Sequence, residues 1–407
     1  MCNKSGNLLP NTLIRTLKHN TPSGNPIPYG RQHIDQADID AVVATLQSDF
    51  LTQGPQVAAF EAAFAEYVGA KYAVAVANGT AALHLSAMAL GVTRGTKAIC
   101  TPITFAASSN AILYCGGEVD FADIDPKTAL LDIESVKSLL ESSPKGTYSG
   151  IVAVDFTGYP IDLEAFRELA DEYGLWIIED ACHAPGGYFL DKKGQRQLCG
   201  NGRYADLAVF SFHPVKHIAC GEGGMITTNN EVLYQKLLML RTHGITKDPA
   251  AMQENHGGWY YEMQQLGFNY RMPDVLCALG LSQLAKADAG LARRQELAKK
   301  YDAAFLNNKN IEIFRPNEDV GHAYHLYIIS VNDRKGLYDH LRTNGIYAQV
   351  HYIPVHTLPY YRQLGHQKGE CPFAEAYYEG CLSIPMYPSL TDAEQAFVME
   401  KILEFTF

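Results

Sequence analysis

Charge is scarce in this 407-residue chain: 19% of residues are Asp, Glu, Lys or Arg, and tryptophan occurs twice. Basic residues are the minority of that set, 33 against 44 acidic ones, for a formal net charge of −11. Such a chain lacks the broad basic surface of a nucleic-acid binder, so no nucleic-acid partner is expected and any anionic ligand needs a local pocket. No run of 18 apolar residues occurs, so no membrane span is expected either. None of the nine cysteines forms a C-x-x-C pair, which removes the common zinc spacing, and their odd number and scatter argue against a disulfide framework. Cys100 and Cys277 lie in apolar runs and read as free buried thiols, as in a reducing cytoplasm. Residues 1–26 mix Leu8, Leu9, Leu13, Ile14 and Leu17 with Pro, Arg and Lys. Without a continuous apolar stretch they read as a flexible leader, not a signal peptide.

What the chain has is apolar material, 47% of it, and enough length for two or three domains at ~150 residues each. Asp35 to Asp38 ahead of Ile39, Val42, Val43 and Leu46 predicts a helix start, and Val57, Phe60, Phe64 and Val68 space a second helix stopped by Gly69. Near-continuous apolar strands then alternate with helical stretches: 72–77, 98–101, 119–124, 151–154, 175–178, 207–210 and 225–228. This predicts an α/β large domain over 27–280, a mostly parallel sheet between helices. From 281 to 407 a charged helix (284–305), a strand at 324–329, a helix from Arg334 and a strand at 347–350 predict a smaller α+β domain.

Ligands of open α/β sheets collect at the carboxyl ends of the strands. Asn78-Gly79-Thr80-Ala81 follows the first strand and opens a helix, whose free N–H groups suit a phosphate, although a plain N-cap reads equally well. Asp180 and His183 follow the strand ending at Ile178. Ser211 and Lys216 follow the strand ending at Phe210 and run into Gly221-Glu-Gly-Gly224. Lys216 is flanked by His213, Pro214, Val215 and Ile218, and a partly desolvated lysine loses its proton readily and attacks carbonyls. A lysine, a carboxylate, phosphate donors and an aromatic face (Phe105) together meet the needs of pyridoxal 5'-phosphate (PLP). Metal is not expected, because no carboxylate completes a ligand set around His322 and His325 or around His351 and His356. Arg293, Arg294, Lys299 and Lys300 read as a solvated helix face.

The segments 78–83 (NGTAAL), 101–105 (TPITF), 179–184 (EDACHA), 211–216 (SFHPVK), 221–224 (GEGG) and 266–272 (LGFNYRM) resemble the DegT/DnrJ/EryC1/StrS sugar aminotransferases, from Ile27 to about Leu403. The resemblance implies a fold-type I PLP enzyme in which Lys216 is the cofactor-linked lysine and Asp180 partners the pyridine nitrogen. It places His183 near the ring's phenolic oxygen and Phe105 over the ring, with Thr80, Ala81 and Ser211 on the phosphate. It further implies that Asn269 reaches the phosphate of a neighbouring subunit, making a homodimer with shared sites. Segments 27–32, 51–54 and 348–352 look like the branch that aminates a UDP-linked sugar on the way to pseudaminic acid. By that likeness Tyr29, His325, His351 and Tyr352 line the sugar pocket, L-glutamate is the amino donor, and C4 of a UDP-linked 4-keto-6-deoxy sugar receives the amino group. Dehydratases of the family carry histidine where Lys216 stands, so amino transfer is favoured over dehydration. A dTDP or GDP sugar, or a non-catalytic relative, stays open as an alternative.

Overall fold

A computed structural model describes residues 21–317 and 319–406, so most of the expected leader lies outside the described residues. Seven strands form the main sheet: β1 (Tyr72–Val76), β2 (Lys97–Cys100), β3 (Glu118–Phe121), β4 (Gly150–Val154), β5 (Trp176–Asp180), β6 (Leu207–Ser211) and β7 (Gly224–Thr228). Their spatial order is β1-β7-β6-β5-β4-β2-β3. All neighbours run parallel except β7, which is antiparallel to both β1 and β6. The sequence explains the burial: Ile151, Val152, Ile177, Ile178, Val209 and Phe210 have no accessible surface, as strands covered by helices on both faces require.

Local signals set the helix ends. Asp35 and Asp38 cap each other's backbone N–H groups in a reciprocal box before Gln36–Leu46. Gly69 and Gly174 take the left-handed conformation that ends Pro55–Val68 and Leu163–Tyr173. The register aligns the strand ends that matter. Val154 is opposite Asp180, Asp180 is opposite Val209, and Gly224 starts its reversed strand beside both Ser211 and Val76. The carboxyl ends of β1, β5 and β6 therefore open on one side of the sheet.

A second core is built from the C-terminal part of the chain. Antiparallel strands at Glu312–Ile313, Tyr327–Ser330 and Cys381–Ile384 pack with helices at Ala287–Phe305, Arg334–Thr343 and Asp392–Thr406 through Tyr301, Phe305, Leu337, Leu341, Val398 and Ile402. Ile27 belongs to this core, and Ile27–Pro28 pair in parallel with Ile346–Tyr347. The charged helix expected over 284–305 is present as Ala287–Phe305, and a separate helix, Asp274–Leu284, precedes it at an angle of 56°. At the joint, Gln283 and Lys286 donate to Asp38 at 2.7 and 2.5 Å, tying the break to the helix that begins at Gln36. The strand expected at 347–350 shortens to Ile346–Tyr347, with Gln349 bridging Ser383. Among the described residues, no single helix is long and apolar enough to cross a membrane.

Candidate active site

A cavity of about 460 Å³ opens at the carboxyl ends of β1, β5 and β6, inside the roughly 300–1,000 Å³ usual for small-molecule sites. Ten of the residues singled out by sequence line it: Tyr29, Thr80, Phe105, Asp180, His183, Ser211, Lys216, His325, His351 and Tyr352. Two do not. Ala81 is buried behind the lining and its N–H is taken by the Asn78 side chain at 2.8 Å, so it offers no donor to the cavity. Asn269 bridges Thr242 on the exposed far side of the β1 edge, outside this chain's own cavity.

Asp180 ends β5 with its carboxylate fixed at both oxygens. Oδ2 accepts from Ser108 Oγ at 2.7 Å and Oδ1 from the Cys182 N–H at 3.2 Å. Ser108 in turn contacts Thr104 Oγ1 at 2.7 Å. Both hydroxyl residues are buried, so Asp180 is presented rigidly. Lys216 sits in the turn after β6, its N–H donating to the His213 carbonyl at 2.8 Å, with Nζ 3.4 Å from His325 Nε2. Burial lowers the proton affinity of its amine, while the nearby Cys182 and Asp180 act against that.

Imidazoles crowd the lysine. The His183 and His325 ring centroids are 4.3 Å apart, and His217 is 5.8 Å from His325. Burial holds His183, His217 and His325 well below the usual histidine range and brings His351 down to about 3, so all four are neutral near pH 7. His183 Nδ1 accepts from the Thr157 N–H at 3.3 Å, which places its one proton on Nε2, facing the Tyr352 hydroxyl at 3.5 Å. His351 is anchored by Ser383 Oγ at 2.8 Å and lies 5.0 Å, ring to ring, from Tyr29.

The phosphate expectation rests on the opening of helix Gly79–Ala89. A Cβ on Gly79 would lie 2.9 Å from Ser211 Cβ, and one on Gly224 would lie 2.6 Å from the Asn78 carbonyl carbon. Only glycine lets these backbones meet there, leaving the first-turn N–H groups and the Thr80 and Ser211 hydroxyls at one end of the cavity. Phe105 is 62% exposed at the rim, its ring 6.3 Å from Tyr352, free to cover a planar ligand. Phosphate donors, a ring face, a fixed carboxylate and an amine thus sit in one cavity, and this set fits PLP.

Sequence reasoning missed or misplaced several residues. Thr104 lies inside the 101–105 segment without having been assigned a role, and Ser108 carries no motif, its only signal being its place three residues after Phe105. Arg271 lines a separate cavity with Gly54, Glu61 and Arg241. Arg294, expected on a solvated face, is 1% exposed, because its guanidinium donates to three backbone carbonyls inside the protein. Asp155, Glu179 and Cys199 gather ligand-type atoms within 4.8 Å of one another. Glu179 precedes Asp180 in β5, so its side chain points to the other face of the sheet. Burial raises the Asp155 carboxyl to about 7, against the pull of its contact with Glu179, while burial and the neighbouring Asp155 together push Glu179 well above the carboxylate range, so the pair shares a proton.

The profile of the DegT/DnrJ/EryC1/StrS aminotransferase family matches residues 32–403. The spore coat polysaccharide biosynthesis protein SpsC of Bacillus subtilis is 38% identical over 92% of this chain and 96% of its own. The UDP-4-amino-4,6-dideoxy-N-acetyl-beta-L-altrosamine transaminase of Campylobacter jejuni is 36% identical over 92% and 96%. A Streptococcus pneumoniae structure in its PLP form superposes with a TM-score of 0.84 at 27% identity, covering 94% of this chain and 98% of that one. This chain therefore belongs to the DegT/DnrJ/EryC1/StrS family, as a sugar aminotransferase with pyridoxal phosphate as its cofactor.

Proposed function

We propose that the enzyme moves an amino group from L-glutamate to C4 of a UDP-linked 4-keto-6-deoxy-N-acetylhexosamine, giving a UDP-4-amino-4,6-dideoxy sugar for pseudaminic acid-type glycans. The observation that carries the reading is Lys216 and Asp180 in one cavity, in a chain that aligns almost end to end with the Campylobacter transaminase. When bound, PLP supplies an electrophilic carbonyl and an electron sink. Asp180 holds the proton of the ring nitrogen, and Ser108 holds Asp180. Thr80, Ser211 and the Gly79 backbone bind the phosphate, and Phe105 packs on the ring. The Lys216 amine takes a proton from the donor carbon and returns one, acting as base and then acid. Tyr29, His325, His351 and Tyr352 wall the side from which a sugar would enter.

We further propose a homodimer. Ile39, Val43, Leu46, Phe50 and Leu51 expose apolar surface along and just after the helix that starts at Gln36, and Asn269 is solvent-facing, so a second copy would cover the first and receive the second. The eight cysteines among the described residues are all free, in keeping with a cytoplasmic site of action. The test mixes purified protein, PLP and glutamate with a panel of 4-keto sugars carrying UDP, dTDP or GDP, and reads products by mass and NMR. Amination of the UDP N-acetyl sugar at C4 is expected. Preference for another nucleotide, or no formation of 2-oxoglutarate from glutamate, refutes the specific reading.

A further inference from the structure

His325 lines the cavity beside Lys216, and the segment that carries it, residues 322–326, is held in an unusual way. Tyr324 has φ of 49°, a left-handed conformation rarely adopted by an aromatic residue. Its N–H donates to His322 Nδ1 at 2.8 Å, the Ala323 N–H to the Gly158 carbonyl at 2.7 Å, and the Leu326 N–H to the Thr157 carbonyl at 3.2 Å. Arg294 completes the clamp from inside: Nη1 donates to the carbonyls of Tyr324, His325 and Met386 at 3.1, 3.2 and 2.8 Å. Its hydrogen-bond acceptors are thus backbone carbonyls. Burying a guanidinium without a countercharge is unfavourable and calls for a return elsewhere.

The return is at His325. Its Nε2 lies 3.4 Å from Lys216 Nζ, and its Nδ1 is buried with no partner. A neutral imidazole has one proton. On Nδ1 that proton would be a stranded buried donor, whereas on Nε2 it meets the lone pair of the lysine amine and leaves only an acceptor unpaired. We propose that Arg294 is a positioning residue for amino transfer that acts through His325: by fixing the 324–325 carbonyls it keeps His325 Nε2–H on the Lys216 amine, which stays a free base ready to move a proton. This rests on Lys216 being the working amine of the proposed function. The surroundings act in both senses. His183, His217 and His351 face the lysine as neutral rings, and the Arg294 cation opposes a second positive charge; Asp180 and Cys182, from the end of β5, oppose both.

The test uses full-length enzyme loaded with PLP and titrates its visible absorbance band with pH, which reads the proton affinity at the Lys216 nitrogen without turnover. His325→Phe should raise the midpoint by about one pH unit, while His325→Gln, which keeps a donor, should stay near wild type. Arg294→Lys keeps the charge, but its amine ends one atom short of the place where Nη1 meets the carbonyls, so it should also raise the midpoint, and the double variant R294K/H325F should shift no further than H325F. A wild-type midpoint in Arg294→Lys, or shifts that add in the double variant, overturns the proposal. Should Arg294→Lys fail to fold, Arg294→Gln takes its place, and an unmoved midpoint in His325→Phe overturns the proposal whatever Arg294 does. Absence of any band in the wild type would instead refute the cofactor assignment of Lys216, which Lys216→Ala checks separately.

Discussion

Replacing Ser108 with alanine is the sharpest test of how the site works, because it removes one hydroxyl and nothing else that touches the cavity's chemistry. Ser108 has a single proton and two acceptors in reach, Asp180 Oδ2 at 2.7 Å and the Phe105 carbonyl at 3.3 Å. The shorter bond to the carboxylate takes it. Thr104, 2.7 Å away, then donates to Ser108, giving a chain from Thr104 through Ser108 to Asp180 whose links polarise one another. A hydrogen bond to a charged group is worth about 1.5–3 kcal/mol, and losing it strands a nearly buried carboxylate oxygen. If that energy is spent on steadying charge that builds in the ring, the glutamate half-reaction should slow by roughly 10- to 150-fold, at about 1.36 kcal/mol per decade. Thr104→Val breaks only the outer link and should cost well under half as much in free energy. Stopped-flow absorbance of the loaded enzyme mixed with glutamate gives the rate, and urea unfolding in parallel shows whether the fold has weakened. A Ser108→Ala half-reaction within twofold of wild type would refute the reasoning, since Asp180 would then need no support.

Three further outcomes follow from the same geometry. Lys216→Ala should leave no cofactor fixed to the chain by borohydride, read as the mass of the intact protein; covalent label on another lysine would move the assignment. Gly79→Ala puts a methyl group 2.9 Å from Ser211 Cβ, so about 1–3 kcal/mol of strain should appear as a roughly 5- to 150-fold weaker PLP affinity by fluorescence titration, and unchanged affinity counts against the phosphate cradle. The Asp155–Glu179 pair binds a proton more tightly folded than unfolded, so it subtracts stability as pH rises from about 4 through 7 and beyond. Asp155→Asn should therefore gain stability relative to wild type between pH 5 and pH 8 in urea melts, and a pH-independent difference would show that the pair does not share a proton.

Much of the fold was legible because each level of the sequence agrees with the next. Apolar strands such as 151–154 and 207–210 could only be buried on both faces, and Gly69 and Gly174 marked helix ends through their freedom at positive φ. The direction of β7 was not legible: Met225 to Thr228 is equally apolar read either way, and its reversal depends on the tight Gly223–Gly224 passage next to Asn78. The lysine and Asp180 could be found because strand ends collect ligands. Arg294 could not. It stands in a run of charges, and only tertiary structure shows that three carbonyls turn inward to meet it. Asn269 lies outside its own chain's cavity, a placement that only the family resemblance of 266–272, not any local pattern, had implied.

The parallel pairing of Ile27–Pro28 with Ile346–Tyr347 joins residues 319 positions apart, so the C-terminal module is closed by a strand made at the opposite end of the chain. During synthesis that early strand has nothing to pair with until nearly the whole protein has been made, and its loop closure is among the longest the chain must achieve. Tyr29, next in sequence, carries its carbonyl to Met386 and its ring to His351. If that wall faces the incoming sugar, as the proposed function has it, the sugar side is assembled last and cofactor capture at the Asn78–Thr80 end precedes it, so trimming the segment around residue 27 should impair sugar binding before it impairs PLP binding.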